Sequence, residues 1–246
     1  MRVSVLGSGS EGNAIYVEHD GTAILIDAGY STAELDRRLV TIGVVGHSHI
    51  KALFLTHDHE DHARYAEQIQ KKWHVPVLRD GYGRDGHGST IPGFTVYHFP
   101  VPHDALDAYG YIVLTGPWQG LAVCLDAGCI TPEINGALHG WELIILGCDY
   151  DDELLDKNSS YPAELKNRIR SNTGHLSNAQ VAAWLRDGWD GKAHTIILAH
   201  LSQSNNMPIR ATLAAFGGMQ ERTDGAEKRT RLIVSTQDEP TPLVEV

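Results

Sequence analysis

The chain has 246 residues, of which 42% are hydrophobic and 25 are glycine, the composition of a globular, turn-rich protein. Its apolar runs are shorter than the roughly 18–20 residues of a membrane span, and the N-terminus lacks the apolar stretch of a signal peptide, so we expect no membrane partner. The net charge of −11 argues against indiscriminate nucleic-acid binding but permits a local basic groove. Three cysteines without CxxC spacing favour free thiols and a cytoplasmic location.

Short apolar segments bounded by Gly or Asp predict ten strands, at residues 3–7, 14–18, 23–29, 52–57, 94–100, 109–114, 121–128, 142–147, 194–200 and 231–235. Helical patterns lie between them, at residues 31–43, 62–74, 162–172 and 177–188. Because no linker divides the chain, we expect one domain over residues 1–246. Its predicted class is α+β, with two sheets packed face to face, helices outside them, and residues 237–246 as a loose tail.

The stretch "THDHEDH" at residues 56–62 is the strongest chemical signal in the sequence. It follows an apolar strand, and strand alternation directs the side chains of His57 and His59 the same way, so that both can bind one ion. Asp61 and His62 lie beyond the bend and can bind a second ion. Imidazole and carboxylate ligands suit Zn²⁺ and, less tightly, Mn²⁺ or iron, so we predict two divalent metal ions as cofactors.

Further ligands are expected where other strands end. His103 follows the strand at 94–100 and is the candidate third ligand of the first ion. Asp126 ends the strand that begins at residue 121 and can bridge both ions, while His200 ends the strand at 194–200 and can complete the second site. Each residue alone is an ordinary strand-end polar side chain. Together they predict a dinuclear site.

These motifs resemble those of the metallo-β-lactamase superfamily, and the resemblance runs nearly end to end. It implies an αββα four-layer sandwich with metal ligands along one edge of its two sheets. Asp27 in "ILIDAG" matches the first motif, whose Asp supports a ligand histidine. The redox diiron branch normally has Glu at the position of His59, so the resemblance disfavours that chemistry.

Three other stretches, "GSGSEGNAIYVE", "GHLSNAQVA" and "AHLSQSNNMP", resemble the YycJ/WalJ-type exonuclease branch. They are also similar to motifs of transfer-RNA 3′-processing nucleases and cyclic-phosphodiester hydrolases, which are all phosphodiesterases. The resemblance makes His175 in "GHLSN" the candidate general acid, with a loop histidine near a helix cap as the alternative. It implies an acidic partner for this histidine, and Asp149 or Asp151 can take that place.

The predicted substrate contacts lie in loops and on one helix. Ser10 and Asn13 belong to a glycine-rich turn whose GxGxxG spacing is, alone, a weak nucleotide-binding signal. In the later loop, Ser202, Asn205 and Asn206 can bind phosphate or cap the next helix. The helix residues Lys166, Arg168 and Arg170 can form a basic groove wall or a solvated surface.

The sequence therefore predicts a dinuclear metal-dependent phosphodiesterase that acts on nucleic acid. DNA is the favoured substrate, and the predicted activity is that of an exonuclease or another nuclease. A metal-bridging hydroxide would attack phosphorus, with Asp61 and Asp126 holding the metals and His175 protonating the leaving oxygen. The alternatives are a carbonyl hydrolase (a thioesterase, lactonase or β-lactamase-like enzyme), a cyclic phosphodiester hydrolase, and a binding module that keeps the fold without chemistry.

Overall fold

The computed structural model describes residues 1–79, 89–117 and 119–246. Over these residues the strands are β1 (Arg2–Gly7), β2 (Ala14–His19), β3 (Thr22–Ile26), β4 (Ile50–Phe54), β5 (Val77–Leu78), β6 (Ser89–Ile91), β7 (Phe94–Pro100), β8 (Tyr109–Leu114), β9 (Gly120–Cys124), β10 (Leu143–Gly147), β11 (Thr195–Ala199), β12 (Arg231–Val234) and β13 (Val244–Glu245). The helices are α1 (Thr32–Thr41), α2 (Glu60–Ala63), α3 (Ala66–Trp73), α4 (Pro132–Ala137), α5 (Asp152–Lys157), α6 (Ala163–Arg170), α7 (Asn178–Asp187) and α8 (Pro208–Gln220).

The strands form two mixed sheets, with the orders β13-β1-β2-β3-β4-β5 and β12-β11-β10-β9-β8-β7-β6. Alternate residues of both sheets, such as Ile24, Phe54 and Val123, fill the core between them. The outer face of the first sheet packs against α1 and α3, and that of the second against α4, α7 and α8. The predicted α+β class and αββα sandwich are confirmed, and within the described residues no helix is long and apolar enough to cross a membrane.

The segment from residue 237 to residue 246 is not loose, so that part of the prediction was wrong. Val244 and Glu245 pair with Val3 and Arg2 as an edge strand of the first sheet. The side chain of Gln237 is buried, and its amide donates a hydrogen bond of 2.8 Å to the carbonyl of Gly12. Because the two ends of the chain share one sheet, we propose that residues 1–246 fold as a single domain.

Parallel pairing brings three chemically important loops to one edge of the second sheet. β9, β10 and β11 run parallel in register, with Leu146 opposite Cys124 and Leu198. Their carboxyl ends therefore lie side by side, and Asp126, Asp149 and His200 follow them within two residues. The loop after β4 supplies the "THDHEDH" residues from the first sheet.

Gly147 occupies the end of β10 because the neighbouring backbone leaves no room for a side chain. A Cβ there would lie 1.9 Å from the carbonyl oxygen of Leu125. We expect Gly147→Ala to lower the free energy of unfolding by roughly 1–3 kcal/mol, as overpacking does, and to lower the Tm by several degrees. Thermal unfolding followed by circular dichroism measures the change. Gly136→Ala in α4 is the control, since nothing lies within 4 Å of its added Cβ; equal Tm values for both variants would contradict the prediction.

Candidate metal centre

Three histidines converge at the first predicted site. The Nδ1 atom of His59 lies 3.2 Å from Nε2 of His103, and the ring of His57 lies 4.6 Å from that of His59 between centroids. Ligand atoms from all three lie within 4.8 Å of one another. The structure thus brings His57, His59 and His103 together as one set of possible metal ligands.

Asp61, His62 and His200 form a second set beside the first. The Oδ2 atom of Asp61 lies 3.3 Å from Nε2 of His62 and 3.2 Å from Nε2 of His200. Asp61 and His62 belong to the short helix α2, whereas His200 comes from the loop after β11 in the other sheet. Folding therefore joins ligands that are about 140 positions apart in sequence.

Asp126 lies between the two sets. Its Oδ2 atom is 2.7 Å from Nε2 of His62 and 3.7 Å from Nε2 of His57, and its Oδ1 atom is 3.3 Å from Nδ1 of His200. The side chain is almost completely buried. This placement is what a bridging ligand requires.

A layer of hydrogen bonds behind the ligands fixes the direction of their rings. Asp27 accepts a 2.7 Å hydrogen bond from Nδ1 of His62, which leaves Nε2 of that ring facing Asp126. Thr56 donates its backbone N–H to the Asp27 carboxylate at 2.8 Å, and its hydroxyl lies 3.0 Å from Nδ1 of His57. Asp27 has a φ of 67°, a left-handed conformation that is uncommon outside glycine and often marks functional sites. Sequence reasoning found Asp27 through the family motif but missed Thr56.

Asp149 is placed against both His200 and His175, whereas Asp151 is not. The Oδ1 atom of Asp149 lies 2.5 Å from Nδ1 of His200 and 2.9 Å from Nδ1 of His175. Asp151 instead caps α5 through the backbone N–H of Leu154 and pairs with Arg210. Of the two candidate partners for His175, the structure therefore favours Asp149.

His175 lies over the second set of ligands. Its ring stacks on that of His200 at 5.4 Å, and its Nδ1 atom lies 3.1 Å from Oδ1 of Asp126, with the side chain 26% exposed. Burial lowers the pKa of His175, but the carboxylates of Asp149 and Asp126 outweigh it and raise this pKa to about 10. The two carboxylates therefore favour a protonated ring at this position beside the ligand sets.

The charges of the ligand residues call for a cation. Burial, with a smaller contribution from His62, lowers the pKa of His57 to about 2, which keeps its ring neutral as metal binding requires. Burial also lowers the pKa of His62, but Asp27 and Asp126 raise it well above its usual value. The carboxylates of Asp27 and Asp126 thus favour a positive charge at this ring. A metal ion could replace that positive charge.

Several buried polar atoms of this cluster make no well-oriented hydrogen bond among the described residues: Nε2 of His57, Oδ1 of Asp126, Oδ2 of Asp149 and, despite its short distances to two carboxylates, Nδ1 of His175. Buried polar atoms in proteins normally have a hydrogen-bond partner. Imidazole and carboxylate groups with free lone pairs are ligands for divalent cations. The ion pairs of Asp61 and Asp126 in the described chain are all with histidines rather than with Lys or Arg. The donor set therefore fits divalent metal ions.

A pocket of about 200 Å³, which we call the inner pocket, opens onto these ligands. Of the predicted substrate contacts, Ser10 and Arg168 line it. Arg168 forms an ion pair with Asp104, whose carboxylate lies 3.5 Å from Nε2 of His103. Lys166 donates to the carbonyl of Asp156 on the helix surface, and Arg170 pairs with the side chain of Asp156, so these two do not line the pocket.

The remaining predicted substrate contacts face inward. Asn13 is fully buried and donates to the carbonyl of Gly9, with its amide 3.0 Å from Nε2 of His62. In the later loop, the hydroxyl of Ser202 accepts from the backbone of Asn205, while Asn205 accepts from Asn158.

Asn206, also in the later loop, is buried and donates to the carbonyl of Cys148. The inward contacts of Asn13, Ser202, Asn205 and Asn206 fix the loops around the ligands and leave these side chains outside the inner pocket. Asn13, Asn205 and Asn206 are buried and hydrogen-bonded and Ser202 is half-buried, so direct contact of these four residues with substrate stays a prediction.

The family model of the metallo-beta-lactamase superfamily matches residues 7–136. Among curated proteins, the chain is 28% identical to exodeoxyribonuclease YycJ of Bacillus anthracis, covering 92% of this chain and 91% of that one. It is 25% identical to exodeoxyribonuclease WalJ of Streptococcus pneumoniae, covering 100% and 98%. Among solved structures it is similar to the metallo-beta-lactamase fold protein YhfI of Bacillus subtilis, with a TM-score of 0.67, 15% identity and 98% of each chain covered.

The chain belongs to the metallo-beta-lactamase superfamily, since more than half of it matches the family model and its sheets and helices have the corresponding fold. Like other members of that family, it is a metal-dependent hydrolase. Within the family its sequence is similar over nearly its whole length to proteins of the YycJ/WalJ type, which confirms the predicted resemblance.

Proposed function

We propose that this hydrolase is a phosphodiesterase that degrades DNA as an exonuclease. The observation that carries the proposal is the position of His175, beside both ligand sets, against two carboxylates and on the wall of the inner pocket together with Arg168. A general acid and a cation beside a metal centre are what hydrolysis of a phosphodiester uses. The full-length similarity to two exodeoxyribonucleases supports DNA as the substrate.

We propose two divalent ions, Zn²⁺ or Mn²⁺ with iron as an alternative. His57, His59 and His103 would hold one, Asp61, His62 and His200 the other, and Asp126 would contact both. When bound, such ions neutralise phosphate charge and lower the pKa of a coordinated water towards about 7. Asp27 keeps the Nδ1 proton on His62, so the Nε2 lone pair of that ring stays directed at the ligand cluster.

Two side chains would act on the substrate directly. The Nδ1 atom of His175 faces Asp149 and Asp126, so Nε2 is the nitrogen left to give a proton to the leaving oxygen. The guanidinium of Arg168, now paired with Asp104, would exchange that carboxylate for a non-bridging phosphate oxygen. The free thiols of Cys124, Cys129 and Cys148 suit a reducing compartment, and we propose a cytoplasmic location.

The test is a hydrolysis panel with Mn²⁺ and with Zn²⁺, in which end-labelled single- and double-stranded DNA, RNA, a cyclic nucleotide, bis-p-nitrophenyl phosphate and a thioester are compared. We expect stepwise shortening of DNA and cleavage of bis-p-nitrophenyl phosphate. Hydrolysis of the thioester without hydrolysis of any phosphodiester would overturn the proposal in favour of a carbonyl hydrolase. A protein that binds metal but hydrolyses none of these substrates would favour the binding-module alternative.

Arg168→Gln is expected to weaken the binding of DNA through loss of one phosphate contact. We expect KM for an oligonucleotide to rise roughly tenfold and the slope of log KM against log salt to fall by about 0.7, the single-strand value for one contact. Steady-state kinetics at several salt concentrations measures both. Lys166→Gln on the same helix is the matched control, because its ammonium group bonds a backbone carbonyl outside the pocket. Equal effects of the two substitutions would contradict a specific role for Arg168.

A further inference from the structure

A second and larger pocket adjoins the inner pocket. We call it the outer pocket; its volume is about 520 Å³, within the range of roughly 300–1,000 Å³ typical of small-molecule sites. Ser10 lines both pockets, so the two share a wall. Arg64 and Tyr65 also line it and directly follow the helix that carries Asp61 and His62. The outer pocket is therefore the next space that a substrate held at the ligand cluster would reach on this side.

The walls of the outer pocket offer an aromatic ring and hydrogen-bonding groups. Tyr65 is half-buried and lines the pocket, where its ring can stack on a planar ligand. Arg38 lies over the ring of Tyr30 at 3.9 Å and donates to the carbonyls of Leu6 and Gln237, so this part of the pocket is rigid. The exposed carboxylates of Glu11 and Asp238 supply acceptors at the rim.

The charges of this pocket select against a phosphate. Its lining holds two cations, Arg38 and Arg64, and three carboxylates, those of Glu11, Glu34 and Asp238. Glu34 pairs with Arg38 at 2.6 Å and with Arg37 at 2.7 Å, and Arg64 pairs with Glu60 at 3.0 Å. All of these arginines are therefore paired, whereas the rim carboxylates of Glu11 and Asp238 form no ion pair among the described residues. A neutral aromatic ligand that donates hydrogen bonds fits this lining, whereas a second phosphate would be repelled.

From the shared wall, the half-buried aromatic ring and the charge balance, we infer that the outer pocket binds the nucleobase next to the scissile phosphate, stacked on Tyr65. This inference rests on the proposed function and extends it, because it assigns a subsite for the substrate beyond the reacting phosphate. Such a site lets the enzyme favour nucleic acid over small phosphodiesters. The site also predicts that bases with an exocyclic amino group are preferred over thymine, because the rim carboxylates can accept a hydrogen bond from that amino group.

The test compares an oligonucleotide with bis-p-nitrophenyl phosphate, which has no neighbouring base. We expect Tyr65→Leu to lower the ratio of kcat/KM for the oligonucleotide to that for bis-p-nitrophenyl phosphate about tenfold, as the loss of one stacked base does. Tyr65→Phe should keep the native ratio. Tyr97→Leu is the matched control, since Tyr97 is also half-buried and lines a different surface pocket.

Oligonucleotides with one abasic nucleotide on either side of the scissile phosphate complete the test. In the native protein, an abasic nucleotide on one of the two sides should lower kcat/KM about tenfold. In the Tyr65→Leu protein, which has already lost the stacking contact, the same abasic nucleotide should lower kcat/KM only slightly further. Equal losses in both proteins, or an unchanged ratio in Tyr65→Leu, would overturn the subsite while leaving phosphodiester hydrolysis intact. Failure of the native protein to cleave bis-p-nitrophenyl phosphate and DNA alike would instead overturn the proposed function and the subsite with it.

Discussion

An Asp126→Asn protein is expected to lose most of its bound divalent metal and to hydrolyse phosphodiesters roughly 10³-fold more slowly, or worse. Asp126 is the one carboxylate within 4 Å of nitrogen atoms of both His57 and His62 among the described residues, so its loss affects both ligand sets. An amide keeps the size of the side chain but removes the charge that the cation needs. The metal contributes several kcal/mol to the reaction, which corresponds to a rate factor of this order.

Metal content of the purified protein by atomic emission, with kcat/KM for bis-p-nitrophenyl phosphate, measures this effect. Asp104→Asn is the matched control, because Asp104 also lines the inner pocket but belongs to neither ligand set. We expect the control to keep the native metal content. An Asp126→Asn protein with native metal stoichiometry and a native circular dichroism spectrum would contradict the placement of Asp126 between the two ions.

The ligand residues could be predicted from sequence because each follows a strand whose apolar pattern is unmistakable. His57 and His59 follow β4, Asp126 follows β9 and His200 follows β11, and neighbouring strand ends converge in the folded sheet. The family resemblance then assigned the partners, since spacing alone cannot say which distant strand ends meet. Local pattern and family motif therefore sufficed to predict which residues the fold brings together in this cluster.

Residues whose role depends on long-range contacts were harder to predict. Thr56 appears in sequence as part of the strand end, and only the fold reveals its hydrogen bonds to Asp27 and His57. The polar side chains of Asn205 and Asn206 gave no sign that they are buried. The last ten residues look loose because their two-residue strand is too short for a periodic signal, yet pairing with β1 holds them.

Sequence patterns were equally limited for three of the helices and for the predicted basic groove wall on α6. Pro208 begins α8, a helix of 13 residues that has no side-chain cap hydrogen bond, and α4 and α5 are only six residues each. By contrast, α1 and α7 were predicted from the residues that start and stop them, including the capping box of Ser177 and Gln180. The basic residues of α6 looked equivalent in sequence, and packing alone directs Arg168 to the pocket while Lys166 and Arg170 bond to Asp156.

His175→Ala is expected to slow DNA cleavage by about 10²–10⁴-fold, the usual contribution of a general acid, without loss of metal. His175 belongs to neither of the two proposed ligand sets, although it also lies in a cluster with Asp126, Asp149 and His200 on the wall of the inner pocket. The sugar oxygen that leaves from DNA is a poor leaving group and needs a proton. The p-nitrophenolate anion leaves without one, so cleavage of bis-p-nitrophenyl phosphate should fall far less.

The ratio of the two rate losses separates proton donation from damage to the metal centre. Loss of metal would slow both substrates alike, whereas loss of the general acid slows DNA cleavage selectively and removes the basic limb of its pH–rate profile. His98→Ala is the matched control, because His98 lies on β7 beside Tyr109 and away from the ligand sets. A His175→Ala protein that keeps its native rate on DNA, or that loses both activities in the same proportion with native metal content, would exclude His175 as the proton donor. Phosphodiester cleavage would then require another acid at the inner pocket.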